Sequence, residues 1–191
     1  DINKSRYDDI SDLPMIQAAM QLRHDHGLQP EDIESIELDG PTKAAVQNDM
    51  DGTTSVMAAQ YSAQFNVAAA LIADPVDPNT YHPDRISGPE ISALQDKVVA
   101  IRPAAEFDAT YAWKMGGRVR INLVDGRVLN ATVHGQKGSM HDPLDVHELT
   151  SKFARLTQGR SNPNLESLLW GVSDAEDLSD LTKALRSPIT H

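Results

Sequence analysis

The histidines are the first residues whose type could support metal chemistry, and the chain has seven of them. His24 and His26 are two positions apart, and on a helix this spacing directs the two imidazoles to different sides, so they do not readily share one ion. His134, His141 and His147 are spread over a glycine-containing loop and the segment after it, in a spacing that matches no zinc motif. We therefore expect no metal site.

A second candidate is the tetrapeptide of residues 136–139, Gln-Lys-Gly-Ser, which is similar to the end of a phosphate-binding loop. The earlier glycine of such a loop is missing and no helix follows directly, so a nucleotide site is not indicated. Lys137 and the backbone amides around it could instead contact a small anion. The other interpretation is an ordinary solvated loop.

Ser62 is the third candidate, because it lies at the centre of an alanine-rich segment. No histidine or lysine stands next to it in the sequence to activate its hydroxyl, so a nucleophilic role is not indicated. We expect it to bond to a helix carbonyl or to a ligand across an interface. From residue types and spacing alone, the chain shows no self-sufficient catalytic constellation.

The elements that would hold these candidates can be read from hydrophobic periodicity. Apolar residues recur at helical spacing between Met15 and Leu22, and Gly27 stands where that helix would stop. The segment 33–38 alternates apolar and polar residues and predicts a half-buried strand. Further along, the sequence predicts a loop, a short helix and a second strand, at residues 74–89, 89–97 and 98–101.

The segment from Ser55 to Ala73 contains neither glycine nor proline. Its apolar residues form two stripes at helical spacing. A helix with two apolar faces must be covered on both sides. We therefore predict one long central helix over this segment.

The clearest local signal is a β-hairpin over residues 118–133, where apolar and polar residues alternate on both sides of an Asp-Gly pair. A two-residue turn would place the two apolar sets on opposite faces. A three-residue loop, 124–126, pairs Ile121 with Leu129 and keeps one face buried, so we predict this register with Gly126 in a left-handed conformation. Arg118 and Arg120 then lie on the polar face, where solvation and cross-strand pairing are expected.

The order of elements predicts an α+β fold, a two-layer sandwich of an antiparallel sheet and the long central helix. The last third of the chain predicts three more helices, at residues 146–157, 164–170 and 175–185. We expect residues 1–145 to form a small α+β domain and residues 146–191 a C-terminal helical segment. These last helices could leave the α+β layer and pack elsewhere.

Composition narrows the possible partners and location. The net charge is −11, with 28 acidic and 17 basic residues, so a polyanion such as DNA would be repelled and no nucleic-acid partner is expected. The chain has no cysteine, which suits a reducing compartment. It has no run of roughly 20 apolar residues and no visible secretory signal, so we expect a cytoplasmic protein that binds no membrane. Because the chain begins at Asp1 and not at Met, we expect it to be processed, trimmed or part of a longer protein.

Several segments together resemble the MmgE/PrpD family, which includes 2-methylcitrate dehydratase, cis-aconitate decarboxylase and iminodisuccinate epimerase. The resemblance rests on their order and spacing over nearly all of residues 14–185. The matching segments are Met15–Arg23, His26–Leu38, Ala59–Ser62 with Phe65–Ile72, Ile91–Val98, Val124–Val128, Lys137–Leu144 and Glu148–Phe153. Proteins of this family are much longer and carry a large N-terminal helical domain before a smaller α+β domain, so the chain resembles the later portion only.

The resemblance implies roles for three residues. Lys4 falls at the position of a family lysine and would supply cationic stabilisation or a proton, the alternative being an ordinary surface lysine. Ser62 and Lys137 would contact substrate carboxylates. Two positions depart from the family pattern, because Leu13 stands in place of a histidine and Phe65 in place of a frequent tyrosine. The principal base is then expected in the part of the family's chain that has no counterpart here.

The function implied by the resemblance is cofactor-free lyase or isomerase chemistry on a small polycarboxylate, with 2-methylcitrate dehydratase-like dehydration favoured. The reaction would start with removal of a proton next to a carboxylate. The expected partners are this substrate, the missing N-terminal helical domain or subunit, and a second copy of the chain in a homodimer. The alternative is a non-catalytic α+β module for binding, dimerisation or covering a site, and we expect this chain alone to be inactive.

Overall fold

The computed structural model describes residues 13–48, 53, 55–75, 77–157 and 164–186. Contacts along the chain divide it into two compact units, Asp1–Pro143 and Leu144–His191. No helix within the described ranges is long and apolar enough to cross a membrane.

The first unit combines helices with one sheet, as expected for an α+β fold. Short 3₁₀ turns at Pro30–Asp32 and Pro78–Tyr81 join some of its helices and strands. Its helices are α1 (Leu13–His26), α2 (Thr42–Gln47), α3 (Val56–Tyr61), α4 (Ala63–Ile72), α5 (Pro83–Ile86), α6 (Pro89–Gln95) and α7 (Ala105–Asp108). Its strands are β1 (Ile33–Gly40), β2 (Val98–Pro103), β3 (Gly117–Leu123) and β4 (Val128–Val133).

The sheet has the strand order β2-β1-β3-β4 and is mixed. β1 is antiparallel to β3, and β3 is antiparallel to β4. β2, however, is parallel to β1, so the prediction of a wholly antiparallel sheet is wrong for this strand. Parallel neighbours need a long crossover connection, and helices α2 to α6 supply it here.

The hairpin of β3 and β4 has the predicted register. Ile121 lies opposite Leu129 and Val119 opposite Ala131. Gly126 has a φ of 86°, the left-handed conformation that a three-residue loop requires at its last position. The rule that keeps one face buried is therefore sufficient to fix this register.

The predicted long central helix is two helices, because the chain breaks at Ser62. This residue has extended dihedral angles, φ −92° and ψ 113°, and its hydroxyl caps α4 by accepting a hydrogen bond from Phe65 N–H. Serine favours such a cap over a helix interior, because its side chain competes for backbone donors. Burial on all sides is confirmed for α4, where residues 63–71 are all buried, whereas α3 buries only Ala59.

The sheet has one apolar and one polar face. Ile36, Leu38 and Val119 are completely buried and join the hydrophobic core that α1 and α4 complete. On the polar face, Arg118 Nη1 donates to Asp39 Oδ2 at 3.1 Å, the cross-strand pairing expected for this arginine.

The second unit contains the three predicted helices α8 (Val146–Thr157), α9 (Leu165–Trp170) and α10 (Ser179–Arg186). A 3₁₀ turn, Val172–Asp174, follows α9, and α10 begins a turn later than predicted. Within this unit α9 packs on α10. Thr150 Oγ1 donates to Glu166 Oε1 at 2.8 Å, which links α8 to α9.

Candidate functional site

Ser62 lies at the junction of α3 and α4, completely buried. Its Oγ accepts from Phe65 N–H at 3.1 Å and donates to Gln64 Oε1 at 3.2 Å. Its carbonyl accepts from Asn66 N–H at 3.0 Å. The Ser62 hydroxyl therefore caps α4 and bonds to a side-chain amide.

A cluster of buried polar side chains surrounds this junction, and we call it the amide cluster. Ala63 N–H donates to Asn48 O at 3.0 Å, which draws the end of α2 to the start of α4. Asn66 Nδ2 donates to Gln60 O at 3.2 Å across the helix break. The members of the amide cluster are Asn48, Ser62, Gln64 and Asn66, each 3% exposed or less, together with Tyr81.

Tyr81 completes the amide cluster from the 3₁₀ turn before α5. Its hydroxyl donates to Asn66 Oδ1 at 2.9 Å, and its ring lies 5.7 Å from the ring of Phe65 between centroids. Phe65 occupies the position where the family resemblance leads to a tyrosine, and here its ring is fully buried. A tyrosine hydroxyl is therefore present beside this position, but it comes from another segment of the chain.

Lys137 lies in the loop after β4, and its side chain is 32% exposed. Its backbone N–H donates to Gln17 Oε1 at 3.1 Å, and its Nζ donates to Asp142 Oδ1 at 3.1 Å. Gly138, with a φ of 86°, lets the loop turn back so that its N–H reaches Asp142 O at 2.6 Å. These contacts fix the direction of the lysine and pair its ammonium with the Asp142 carboxylate.

Gln136 precedes this lysine and is 6% exposed. Its Oε1 is buried and has no hydrogen-bond donor within the part of the chain that the structure describes. A buried acceptor without a donor costs about 1–3 kcal/mol, so this amide is held in place by the packing around it. The loop therefore has one hydrogen-bonding position next to Lys137 that no described protein group uses.

The structure attaches Ser62 and Lys137 to different elements of the first unit. The amide cluster belongs to the start of α4, whereas Lys137 is tied to α1 through Gln17. Helix α1 packs against both α4 and β4, so the two regions are connected through it. Lys4 lies outside the described residues, and Leu13, the position of the family histidine, is the first residue of α1 and 2% exposed.

The histidines are dispersed over the described structure. His24 Nδ1 lies 3.1 Å from Asp25 Oδ1, and His141 Nε2 lies 3.2 Å from Trp113 O. The His134 ring packs 6.2 Å from the ring of Phe107 between centroids. Within the described ranges, no three histidine, aspartate or glutamate side chains come close enough to hold a metal ion.

The amide cluster offers hydroxyl and amide groups, none of which is a strong base. Such groups orient and stabilise polar atoms, but they do not remove a proton from carbon at a useful rate. Sequence reasoning identified Ser62 but missed Asn48, Gln64, Asn66 and Tyr81. The available signal was a serine and two amides, at 62, 64 and 66, within an otherwise apolar segment.

The described chain is therefore an α+β domain with a buried polar cluster of hydroxyl and amide groups, and with a separate lysine that is paired with the Asp142 carboxylate. A family model, the MmgE/PrpD C-terminal domain, matches residues 12–168. The chain belongs to the MmgE/PrpD family and corresponds to its C-terminal domain. Comparison with curated proteins gives no significant match.

Proposed function

We propose that this chain is the C-terminal portion of a lyase or isomerase that removes a proton next to a carboxylate of a small polycarboxylate. Dehydration of the 2-methylcitrate type is the favoured reaction. The observation that carries the proposal is the family match over residues 12–168. Decarboxylation and epimerisation, the other activities of the family named above, begin from the same kind of substrate.

The chemistry of such a substrate explains which groups the chain is expected to supply. A proton next to a carboxylate is only weakly acidic, so the developing enolate-like charge needs a positioned base and fixed cations. We assign Lys4 to cationic stabilisation or proton donation and Lys137 to a substrate carboxylate. Lys137 Nζ lies 3.1 Å from Asp142 Oδ1, so a substrate carboxylate would compete with Asp142 for this ammonium.

Ser62 is a different case, because its hydroxyl is buried and makes two hydrogen bonds. Its proposed contribution to substrate binding is therefore indirect, because the hydroxyl fixes the start of α4. The base is assigned to the helical domain that the family carries before this one. The same proposal includes the packing of residues 146–191 on that helical domain, a homodimer and a cytoplasmic location.

A second candidate function is a non-catalytic binding or dimerisation module. Leu13 and Phe65 favour it, because both replace residues with proton-transferring side chains in the family pattern. The two candidates differ in whether any form of the protein turns over a polycarboxylate.

The deciding experiment uses the protein in the form in which the cell produces it. Citrate, 2-methylcitrate and cis-aconitate are each added, and gain or loss of alkene absorbance is followed. We expect turnover of at least one acid, and a KM for the Lys137→Met variant that is raised about tenfold, as for loss of a charged contact. Lys183→Met, on α10, is the control and leaves KM unchanged. Absence of turnover with all three acids favours the module.

A further inference from the structure

A surface groove on the first unit lies apart from both Ser62 and Lys137. It is bounded by the C-terminal ends of α1 and α4, by the 3₁₀ turn at Pro30–Asp32 and by α6, and its volume is about 450 Å³. Small-molecule sites have volumes of roughly 300–1,000 Å³, so the groove has room for a compact ligand.

Two cations line this groove, and both are held in place by backbone carbonyls. Arg23 Nη1 donates to Ala73 O at 2.9 Å, at the C-terminal end of α4. Lys97 Nζ donates to Pro30 O at 2.9 Å and to Ile33 O at 2.6 Å. Within the described ranges neither cation has a carboxylate within ion-pair distance. The groove therefore presents two fixed positive charges that no described carboxylate neutralises, each with further N–H donors.

Two exposed carboxylates line the same groove. Glu31 belongs to the 3₁₀ turn and Glu90 to the first turn of α6. In the described structure neither forms an ion pair or a side-chain hydrogen bond. The groove thus presents both signs of charge, and only a ligand that carries both signs can form ion pairs with both sets of side chains.

The groove also has an apolar lining. Ile72 is partly buried and lines the groove together with Leu28, Leu71 and Leu94, which are buried at 6%, 2% and 1% exposure. Ala93, on the exposed side of α6, leaves space beside them. An aliphatic group of a ligand would gain burial against these side chains at about 25 cal/mol per Å² of apolar surface.

We propose that this groove binds a free aliphatic α-amino acid. The carboxylate of the ligand pairs with Arg23 and Lys97, its ammonium pairs with Glu31 or Glu90, and its side chain packs on Ile72 and Ala93. A polycarboxylate meets repulsion from both glutamates, and a fatty acid gains no ion pair from them. The groove contains none of the residues assigned to the lyase chemistry, so this binding function is separate from the proposed reaction.

The proposal can be tested by isothermal titration of the full chain with L-leucine. We expect saturable binding with a Kd of about 1 mM, typical of a ligand with so few atoms. Two analogues separate the contacts, since 4-methylpentanoate lacks the ammonium and 3-methylbutylamine lacks the carboxylate. Each should bind about tenfold more weakly than L-leucine, because each loses one charged pairing. Equal binding of L-leucine and 4-methylpentanoate would overturn the role of the glutamates.

Two substitutions on α6 provide a matched pair. Ala93→Phe fills the groove and should abolish L-leucine binding, whereas Ser92→Phe, on the neighbouring exposed position outside the groove, should leave Kd unchanged. Both positions are exposed, so both variants are expected to fold, and circular dichroism checks this. Absence of binding to the unaltered chain, or equal binding to the two variants, refutes the site. Neither result depends on catalytic turnover, so the lyase proposal stands or fails separately.

Discussion

The hydroxyl of Tyr81 donates a hydrogen bond of 2.9 Å to Asn66 Oδ1, and both side chains are buried. This bond joins the 3₁₀ turn before α5 to the middle of α4. Because Asn66 Nδ2 also donates to Gln60 O, the same amide spans the break between α3 and α4. Asn66 therefore fixes the helix break and the turn relative to each other.

Tyr81→Phe should lower the free energy of unfolding by about 1–3 kcal/mol, because it leaves the buried Asn66 Oδ1 without this donor. Urea denaturation measures the change. Tyr61→Phe is the control, because Tyr61 is 48% exposed and its hydroxyl can bond to water, so little change is expected. Similar losses for the two variants would show that the Tyr81 bond contributes nothing of its own.

Val67 provides a test of the core position of α4. It is completely buried, so Val67→Asp places a carboxylate among apolar side chains and should cost several kcal/mol of stability. The corresponding exposed control is Val99→Asp on β2, where Val99 is 63% exposed. A melting temperature for Val67→Asp equal to that of the control would contradict the burial of this helix.

The stretch containing Val67 also shows how far the sequence could predict the fold. Two apolar stripes correctly indicated the burial of α4, but the same stripes continue through Ser62 into α3, which buries only Ala59. The break depends on a local competition, in which the serine hydroxyl caps Phe65 N–H. Hydrophobic periodicity reports which faces are buried and does not report such a cap.

The direction of β2 was missed for a different reason. Its residues indicate a strand but not its neighbour, because pairing depends on the path of the whole connection. The helices between β1 and β2 permit a parallel crossover, which a hairpin loop would not. Similarly, Asn66 and Tyr81 meet only after α4 and the following turn have folded, so their bond has no local sequence pattern.

The β3–β4 hairpin could be predicted in full, and Gly126 tests the reason. Its φ of 86° is unfavourable for a residue with a Cβ, although the space around it is open. Gly126→Ala should therefore destabilise the protein by about 1–2 kcal/mol through backbone strain alone. Gly40→Ala is the control, since Gly40 has no positive φ and an added Cβ would make ordinary contacts at 3.6 Å. Equal stabilities of the two variants would contradict the strain argument.

Asp108 gives the protein a stability that depends on pH. The Thr42 hydroxyl and the Thr42 backbone N–H both donate to this carboxylate at 2.7 Å, and these bonds lower the pKa of Asp108 below its usual value. Because the pKa of Asp108 is lower in the folded state, its ionised carboxylate stabilises the folded protein at a pH above the unfolded-state pKa of about 4. This stabilisation is lost as the pH falls through the folded-state pKa.

Asp108→Asn should therefore reduce the loss of stability on acidification, measured as the unfolding free energy in urea between pH of about 6 and about 2. Asp96→Asn is the control, because Asp96 is exposed and no described group donates a hydrogen bond to its side chain. A pH dependence that is unchanged by Asp108→Asn, or changed equally by both variants, would show that the Thr42 contact has no influence on acid stability.

Lys4 is the residue on which the lyase proposal depends most directly, although it lies outside the described residues. A substrate with several carboxylates is attracted by a fixed ammonium, and the attraction grows once water is excluded. If Lys4 stabilises the transition state, Lys4→Ala lowers kcat, by about 10²–10³ for a typical electrostatic stabiliser. If it only binds the substrate, KM rises and kcat changes little.

Arg6→Ala is the control for Lys4→Ala, because Arg6 is a nearby cation at no family site position. In an active form of the protein we expect kcat to fall at least about tenfold more for Lys4→Ala than for Arg6→Ala. Small and equal effects would mean that Lys4 is a surface residue and that the register placing it in the site is wrong.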